Sequence, residues 1–131
     1  MPPSPIQVYV VDDEPSVCIA YARLLRSAKM QPRTFSSVEE LLQADISRHN
    51  ACVISDVRMP GASGFTLPAL LAQAGYRLPV ILVTAFDTPS MRDLAQQAGA
   101  AAYFRKPVDD QALLDAIVWA LGQHENNRSE N

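Results

Sequence analysis

Ile6-Gln7-Val8-Tyr9-Val10-Val11-Asp12-Asp13-Glu14-Pro15-Ser16-Val17 is the stretch on which the fold turns. The apolar, β-branched run to Val11 reads as a strand, and two adjacent acids end it. Pro15 suits a first helical position, where its missing N–H would have had no internal partner anyway. From there Val17, Ala20, Tyr21, Leu24, Leu25 and Ala28 recur at helical spacing and predict a helix over Pro15–Ala28.

Outward from this unit, strand and helix alternate down the chain. Gln31-Pro32-Arg33-Thr34-Phe35 reads as an edge strand, the place where a proline is tolerated. Ser36 and Ser37, each followed three residues later by Glu39 and Glu40, offer capping boxes for a second helix. A third strand spans Ala51–Ser55, and a loop rich in proline and glycine, Arg58 to Gly64, leads to a third helix over Phe65–Ala74. Pro68 is compatible with that helix because it falls in the first turn.

Pro79-Val80-Ile81-Leu82-Val83-Thr84 is apolar throughout, as a strand covered on both faces must be. Thr88-Pro89 caps and starts a fourth helix that Gly99 ends. Ala101–Phe104 forms a fifth strand. Asp109 caps a fifth helix whose inner face is Leu113, Ile117, Ala120 and Leu121, which leaves Trp119 outside the core. The polar segment after Gly122 reads as a fraying tail.

This alternation implies an α/β protein: a single doubly wound, five-stranded parallel sheet with five helices. The common open order for five strands is 2-1-3-4-5, the flavodoxin-like arrangement, in which ligands bind between strands 1 and 3. The expected organisation is a flexible start (residues 1–5), one domain (6–122) and a polar tail or linker stub (123–131).

The chain has 131 residues, enough for one domain with its own core, and 48% of them are apolar. A formal net charge of −3 argues against nucleic acid as the partner of this segment, because binding a phosphate backbone requires a basic surface. No run approaches a membrane span, and the first residues lack the regions of a signal peptide. Cys18 and Cys52 lie in periodic apolar segments and read as core thiols, so a reducing, cytoplasmic setting is the default expectation.

Three strand ends carry the chemistry. Asp12 and Asp13 follow the first strand, Asp56 the third, and Lys106 the fifth. In the expected order the carboxylates converge into an oxygen-rich pocket for a hard cation such as Mg²⁺, with a lysine able to neutralise an added anion. Each residue also has an ordinary use: the acids as a helix cap or loop acid, Lys106 as a surface lysine, Thr84 and Tyr103 as plain strand residues.

From Val8 to Leu121 the chain resembles the receiver domain of two-component response regulators. The resemblance rests on Asp12-Asp13, Asp56, Met59-Pro60-Gly61 with Gly64, Thr84-Ala85, and Tyr103 ahead of Lys106-Pro107. It implies that Asp56 accepts a phosphoryl group from the phosphohistidine of a sensor histidine kinase or phosphotransfer protein. It also implies that Asp12, Asp13, Asp56 and the main-chain carbonyl of Arg58 hold Mg²⁺, with Asp12 acting mainly through water. Lys106 and Thr84 would contact the phosphoryl group, and Thr84 and Tyr103 would carry the change to the face of the fourth helix, fifth strand and fifth helix. A cis Lys106–Pro107 bond also follows from the resemblance, with Met59–Pro60 a weaker candidate.

Arg58 and Phe86 depart from the small or polar residues common at their positions and are expected to tune loss of the phosphoryl group by water, with bulky Phe86 slowing it. The segments at 8–14 and 56–61 look like receivers that precede a LuxR-type helix-turn-helix output domain, so the chain is either a stand-alone receiver or part of a longer transcription regulator. The function implied is a phosphorylation-dependent switch, not an enzyme in the ordinary sense. It would act on an output domain or partner protein, and phosphorylation could promote a homodimer through the fourth helix and fifth strand. Exposed Trp119 is a candidate partner contact.

Two rivals follow from the same residues. A Mg²⁺-dependent phosphatase of the haloacid-dehalogenase type requires an aspartate two residues after its nucleophile, where this chain has Arg58. A receiver-like adaptor that is never phosphorylated usually lacks one of the acids or the lysine, and all are present here.

Overall fold

The computed structural model describes residues 5–129, with side-chain environments up to residue 123. Its elements run β1 (Gln7–Val11), α1 (Pro15–Ser27), β2 (Gln31–Phe35), α2 (Val38–Gln43), β3 (Ala51–Asp56), α3 (Leu67–Gln73), β4 (Val80–Thr84), α4 (Pro89–Gln97), β5 (Ala102–Arg105) and α5 (Asp110–Ser129). All strand pairs are parallel, and the order is β2-β1-β3-β4-β5. The doubly wound sheet expected from the alternation is therefore the one observed.

Side-chain alternation along each strand divides the core in two. Tyr9, Val11, Val53, Val80 and Leu82 pack beneath α2, α3 and α4 through Val38, Leu41, Leu67, Leu71 and Ala95. Val8, Val10, Cys52, Ile54, Ile81 and Val83 pack beneath α1 and α5 through Cys18, Leu25, Leu113, Ile117 and Leu121. Burying each of the larger aliphatic side chains contributes about 1.5–3 kcal/mol, so strands buried on both faces belong at the centre of the sheet. Both cysteines are buried and unpaired, and burial pushes the Cys52 thiol up to about 12.

Several boundaries differ from the sequence reading for local reasons. Ser37 caps α2 by accepting the Glu40 N–H at 3.0 Å. The Glu40 carboxylate returns to the Ser36 N–H and hydroxyl, so one shifted box replaces the two expected. Gly64–Thr66 forms a single 3₁₀ turn before α3, capped by Ser63, so α3 starts at Leu67 and not at Phe65. β5 is displaced by one residue to end at Arg105.

α5 continues to Ser129, through the segment read as a fraying tail. A glycine such as Gly122 costs only about 1 kcal/mol within a helix, and no proline follows to stop it. Asp109 caps α5 as expected, accepting the Ala112 N–H at 2.9 Å. Residues 1–4 of the expected flexible start, and 130–131 of the tail, lie outside the described residues. None of the helices described is long and apolar enough to cross a membrane.

Candidate functional site

β1 and β3 are neighbours in register, with Val11 opposite Ser55, so Asp12, just past β1, and Asp56, the last residue of β3, leave the sheet side by side. One carboxylate oxygen each from Asp12, Asp13 and Asp56 falls within 4.8 Å of the others. Their exposures differ: Asp12 is 2% exposed, Asp56 is partly covered and Asp13 faces solvent. Asp12 Oδ1 accepts the Glu14 N–H at 2.9 Å, which anchors it at the entry to α1.

Lys106 arrives from the far edge of the sheet. Its backbone N–H donates to Thr84 O at 2.8 Å, continuing the β4–β5 pairing past the end of β5. Its long side chain then reaches across the end of β4 to place Nζ 3.0 Å from Asp12 Oδ2 and 3.4 Å from Asp56 Oδ2. Burial alone would lower the Lys106 pKa, but the contact with Asp12 and the charges of Asp12 and Asp56 outweigh it and hold the ammonium protonated. Burial raises the Asp56 pKa and the Asp12 charge adds to the rise; Lys106 and a hydrogen bond from the Arg58 backbone only partly offset it. The Lys106–Pro107 bond is cis and is the only cis bond among the described residues, so Met59–Pro60 is trans.

Close backbone packing supports Asp56 from below. A Cβ built on Gly64 would lie 2.4 Å from the Asp56 carbonyl oxygen, so the turn before α3 tolerates only glycine there. The Ser55 hydroxyl, fully buried, donates to the same oxygen at 2.9 Å.

Thr84 ends β4 with no exposure, and its Oγ1 accepts the Phe86 N–H at 3.1 Å. The Phe86 ring lies 4.3 Å from the Arg58 guanidinium carbon, in cation–π range. The two departures from the usual receiver pattern thus touch each other and bridge the loops leaving β3 and β4. Tyr103 is half-buried, and its hydroxyl donates to Asp87 Oδ1 at 3.2 Å. Asp87 is held in turn by a bidentate contact from Arg92, at 2.9 and 2.6 Å.

Asp12, Asp13, Asp56 and Lys106 therefore form one cluster, whereas Thr84, Phe86 and Tyr103 line the route from that cluster toward α4 and β5. The sequence reading missed Asp87, Arg92, Ser55 and Tyr21. Asp87 sits directly before the Thr88-Pro89 helix start, which was the available signal. Tyr21 lies beside Lys106 in a cleft of about 490 Å³ between α1 and α5, where burial raises its hydroxyl pKa. On the other side of α1, Asp12 and Asp13 line a cleft of about 620 Å³. Trp119 is 57% exposed, outside the core as expected.

An acidic cluster at the sheet's switch point with a lysine held among its carboxylates is the site that this doubly wound fold presents. Residues 8–118 match the response regulator receiver domain, and the chain belongs to that family, the signalling domains of two-component systems. Receiver domains bind Mg²⁺ at an acidic pocket of this kind.

The transcriptional regulatory protein TdiR of Thauera aromatica is 42% identical over 114 residues, covering 87% of this chain and 50% of TdiR. FixJ of Azorhizobium caulinodans is 33% identical over 130 residues, covering 98% of this chain and 62% of FixJ. The chain thus spans about half to three-fifths of the length of these relatives. Among solved structures, the response regulator StyR superposes with a TM-score of 0.84 at 35% identity, covering 97% of this chain and 64% of StyR. The FixJ-N structure superposes at 0.82 with 28% identity, covering 92% of this chain and 96% of that one.

Proposed function

We propose that this chain is a phosphorylation-dependent switch in which Asp56 accepts a phosphoryl group from the phosphohistidine of a sensor kinase or phosphotransfer protein. The observation that carries this reading is Lys106 Nζ placed between Asp12 and Asp56 at the sheet's switch point. An Asp56 carboxylate oxygen attacks phosphorus, the P–N bond to the donor imidazole breaks, and the leaving imidazole takes up a proton. The product is an acyl phosphate on Asp56.

Carboxylate is a modest nucleophile, so rate comes from alignment and from neutralising charge on the phosphoryl oxygens. The donor set fits a hard cation: three carboxylates whose oxygens converge, with Asp12 already desolvated. Asp12, Asp13, Asp56 and the Arg58 carbonyl would hold Mg²⁺, which supplies charge neutralisation to the transferring group. Lys106 shifts its contacts from carboxylate to phosphoryl oxygen, and the Thr84 hydroxyl donates to the same group.

Movement of Thr84 carries the loop that begins at Phe86, through the hydrogen bond between them. It also disturbs the Tyr103–Asp87–Arg92 contacts beside α4 and β5. That is a population shift driven by contacts made in only one of two states. The altered face would signal to an output domain or partner protein, or to a second copy through α4 and β5. The clefts on either side of α1 suit docking of the donor beside Asp13 and Lys106. Stacked Arg58 and Phe86 would shield the acyl phosphate from in-line water and make its loss slow. The relatives named as transcriptional regulators, with which the chain shares about half their length, favour a role in transcription control in the cytoplasm, where buried free thiols persist.

Incubating the protein with Mg²⁺ and acetyl phosphate, then weighing it with and without Asp56→Asn, tests the reading. One phosphoryl added to the parent chain and none to the variant is expected. Release of phosphate without an adduct would instead favour the phosphatase, and absence of any reaction the adaptor.

A further inference from the structure

The Ser36 and Ser37 caps leave one acid of α2 unused. Glu40 closes the capping box, and Glu39 turns outward from the helix to the loop between β3 and α3. Glu39 Oε1 accepts the Ala62 N–H at 2.7 Å. Gly61, at φ +84°, leaves room for this approach, since a Cβ there would stand 3.0 Å from the same oxygen. The hydrogen bond from Ala62 holds the Glu39 carboxyl below the usual carboxylate range.

The loop so held carries Arg58, two residues after the proposed phosphoacceptor Asp56. At its end the Gly64 N–H and the Ser63 hydroxyl both donate to Val57 O at 3.1 Å. Before these ties Pro60 has no N–H to offer, and Gly61 is conformationally free. Met59 and Ala62 rest against the core. The Glu39–Ala62 bond ties the loop to α2 from outside it.

We infer that Glu39 is a positioning residue for the metal end of the site: by accepting the Ala62 N–H from α2, it fixes the 58–63 loop and the Arg58 carbonyl beside Asp56. This inference rests on the proposed function, in which that carbonyl is a Mg²⁺ ligand. Residues that orient ligands through a hydrogen bond cost about 10–100-fold in metal affinity when lost, and an exposed tether acting through the loop is worth less, about three- to tenfold.

The test titrates Mg²⁺ alone into the unphosphorylated full chain, read by backbone amide shifts. The parent is compared with Glu39→Ala, Glu39→Asp and Glu39→Gln, together with hydrogen exchange of the Ala62 amide and metal-free melting. Alanine, with no acceptor, and aspartate, one methylene too short, should weaken Mg²⁺ binding about three- to tenfold and speed Ala62 exchange, with melting unchanged. Glutamine keeps the accepting oxygen and should stay within about twofold of the parent. Equal affinity in parent and Glu39→Ala overturns the inference and leaves the Asp56 reading standing. Normal binding by aspartate with loss by glutamine also overturns it, because charge and not the hydrogen bond would then be acting. Absence of saturable Mg²⁺ binding by the parent overturns the metal site and this inference together.

Discussion

Two acid–cation contacts sit near the exit of β4 and differ chiefly in their surroundings. Lys106 meets Asp12 with side-chain exposures of 22% and 1%, whereas Arg92 meets Asp87 with exposures of 67% and 9%. The Arg92 contact is the shorter of the two, at 2.6 Å against 3.0 Å. Length is nevertheless the poorer guide to importance, because water screens the outer pair and the long arginine loses freedom to make it. The inner pair holds charges that have already left water, so losing either partner strands the other. The proposed switch would use both kinds: a charge cluster held together until a phosphoryl group arrives, and an outer contact weak enough to be exchanged when the face moves.

The comparison breaks most visibly at Lys106. Lys106→Met leaves the carboxylates of Asp12 and Asp56 without their cation and should cost about 2 kcal/mol in urea unfolding, with part recovered on adding Mg²⁺. An unchanged unfolding midpoint would show that burial does not separate the two pairs.

Next in size is Asp56→Asn. Because the folded-state pKa of Asp56 is raised, chiefly by burial, the stability tied to its neutral form is full below the unfolded carboxylate pKa and is lost as pH rises through the raised value. The neutral amide avoids that loss. Its melting temperature should exceed the parent's by a few degrees at neutral pH, and the gain should vanish as pH falls below the ordinary carboxylate range; a gain that persists in acid would contradict the assignment.

A smaller, kinetic effect is expected at the bridge between the two loops. Phe86→Ala removes the ring under Arg58 and should speed loss of the phosphoryl group severalfold by admitting water, with fold stability unaltered. An unchanged decay rate of the adduct would sink the shielding role.

The smallest effect belongs to the outer pair. Burial and then the Asp87 contact raise the Tyr103 pKa, so Asp87→Asn should bring the phenol back toward its ordinary value in a pH titration while melting stays the same. A large drop in melting temperature would make the outer pair structural, and the contrast with Lys106 would fail.

Much of this was legible from residue order. Asp12, Asp13, Asp56 and Lys106 each follow an apolar run, and a strand end is recognisable from a few neighbours. Thr88 and Asp109 declared their helix starts for the same reason, because caps act within one turn. The Glu39 partner was not legible, since a glutamate three residues after a serine looks like a cap whether or not its carboxylate turns elsewhere. Nor was Asp87 as the partner of Tyr103, because the two meet only when the loop after β4 folds along the edge strand. The extent of α5 was equally hidden, since a polar segment fits a solvent-facing helix and a loose tail alike.

By itself the sequence determined the alternation of strand and helix, the two-faced burial of the central strands, and which acids and which lysine stand at strand ends. These are local facts, written in periods of two and of 3.6 residues. Only the tertiary structure decided that Lys106, 94 residues beyond Asp12, reaches it across the end of β4, and that Arg58 stacks on Phe86. Such distances depend on strand order and register, which are fixed when both faces of the sheet are packed at once.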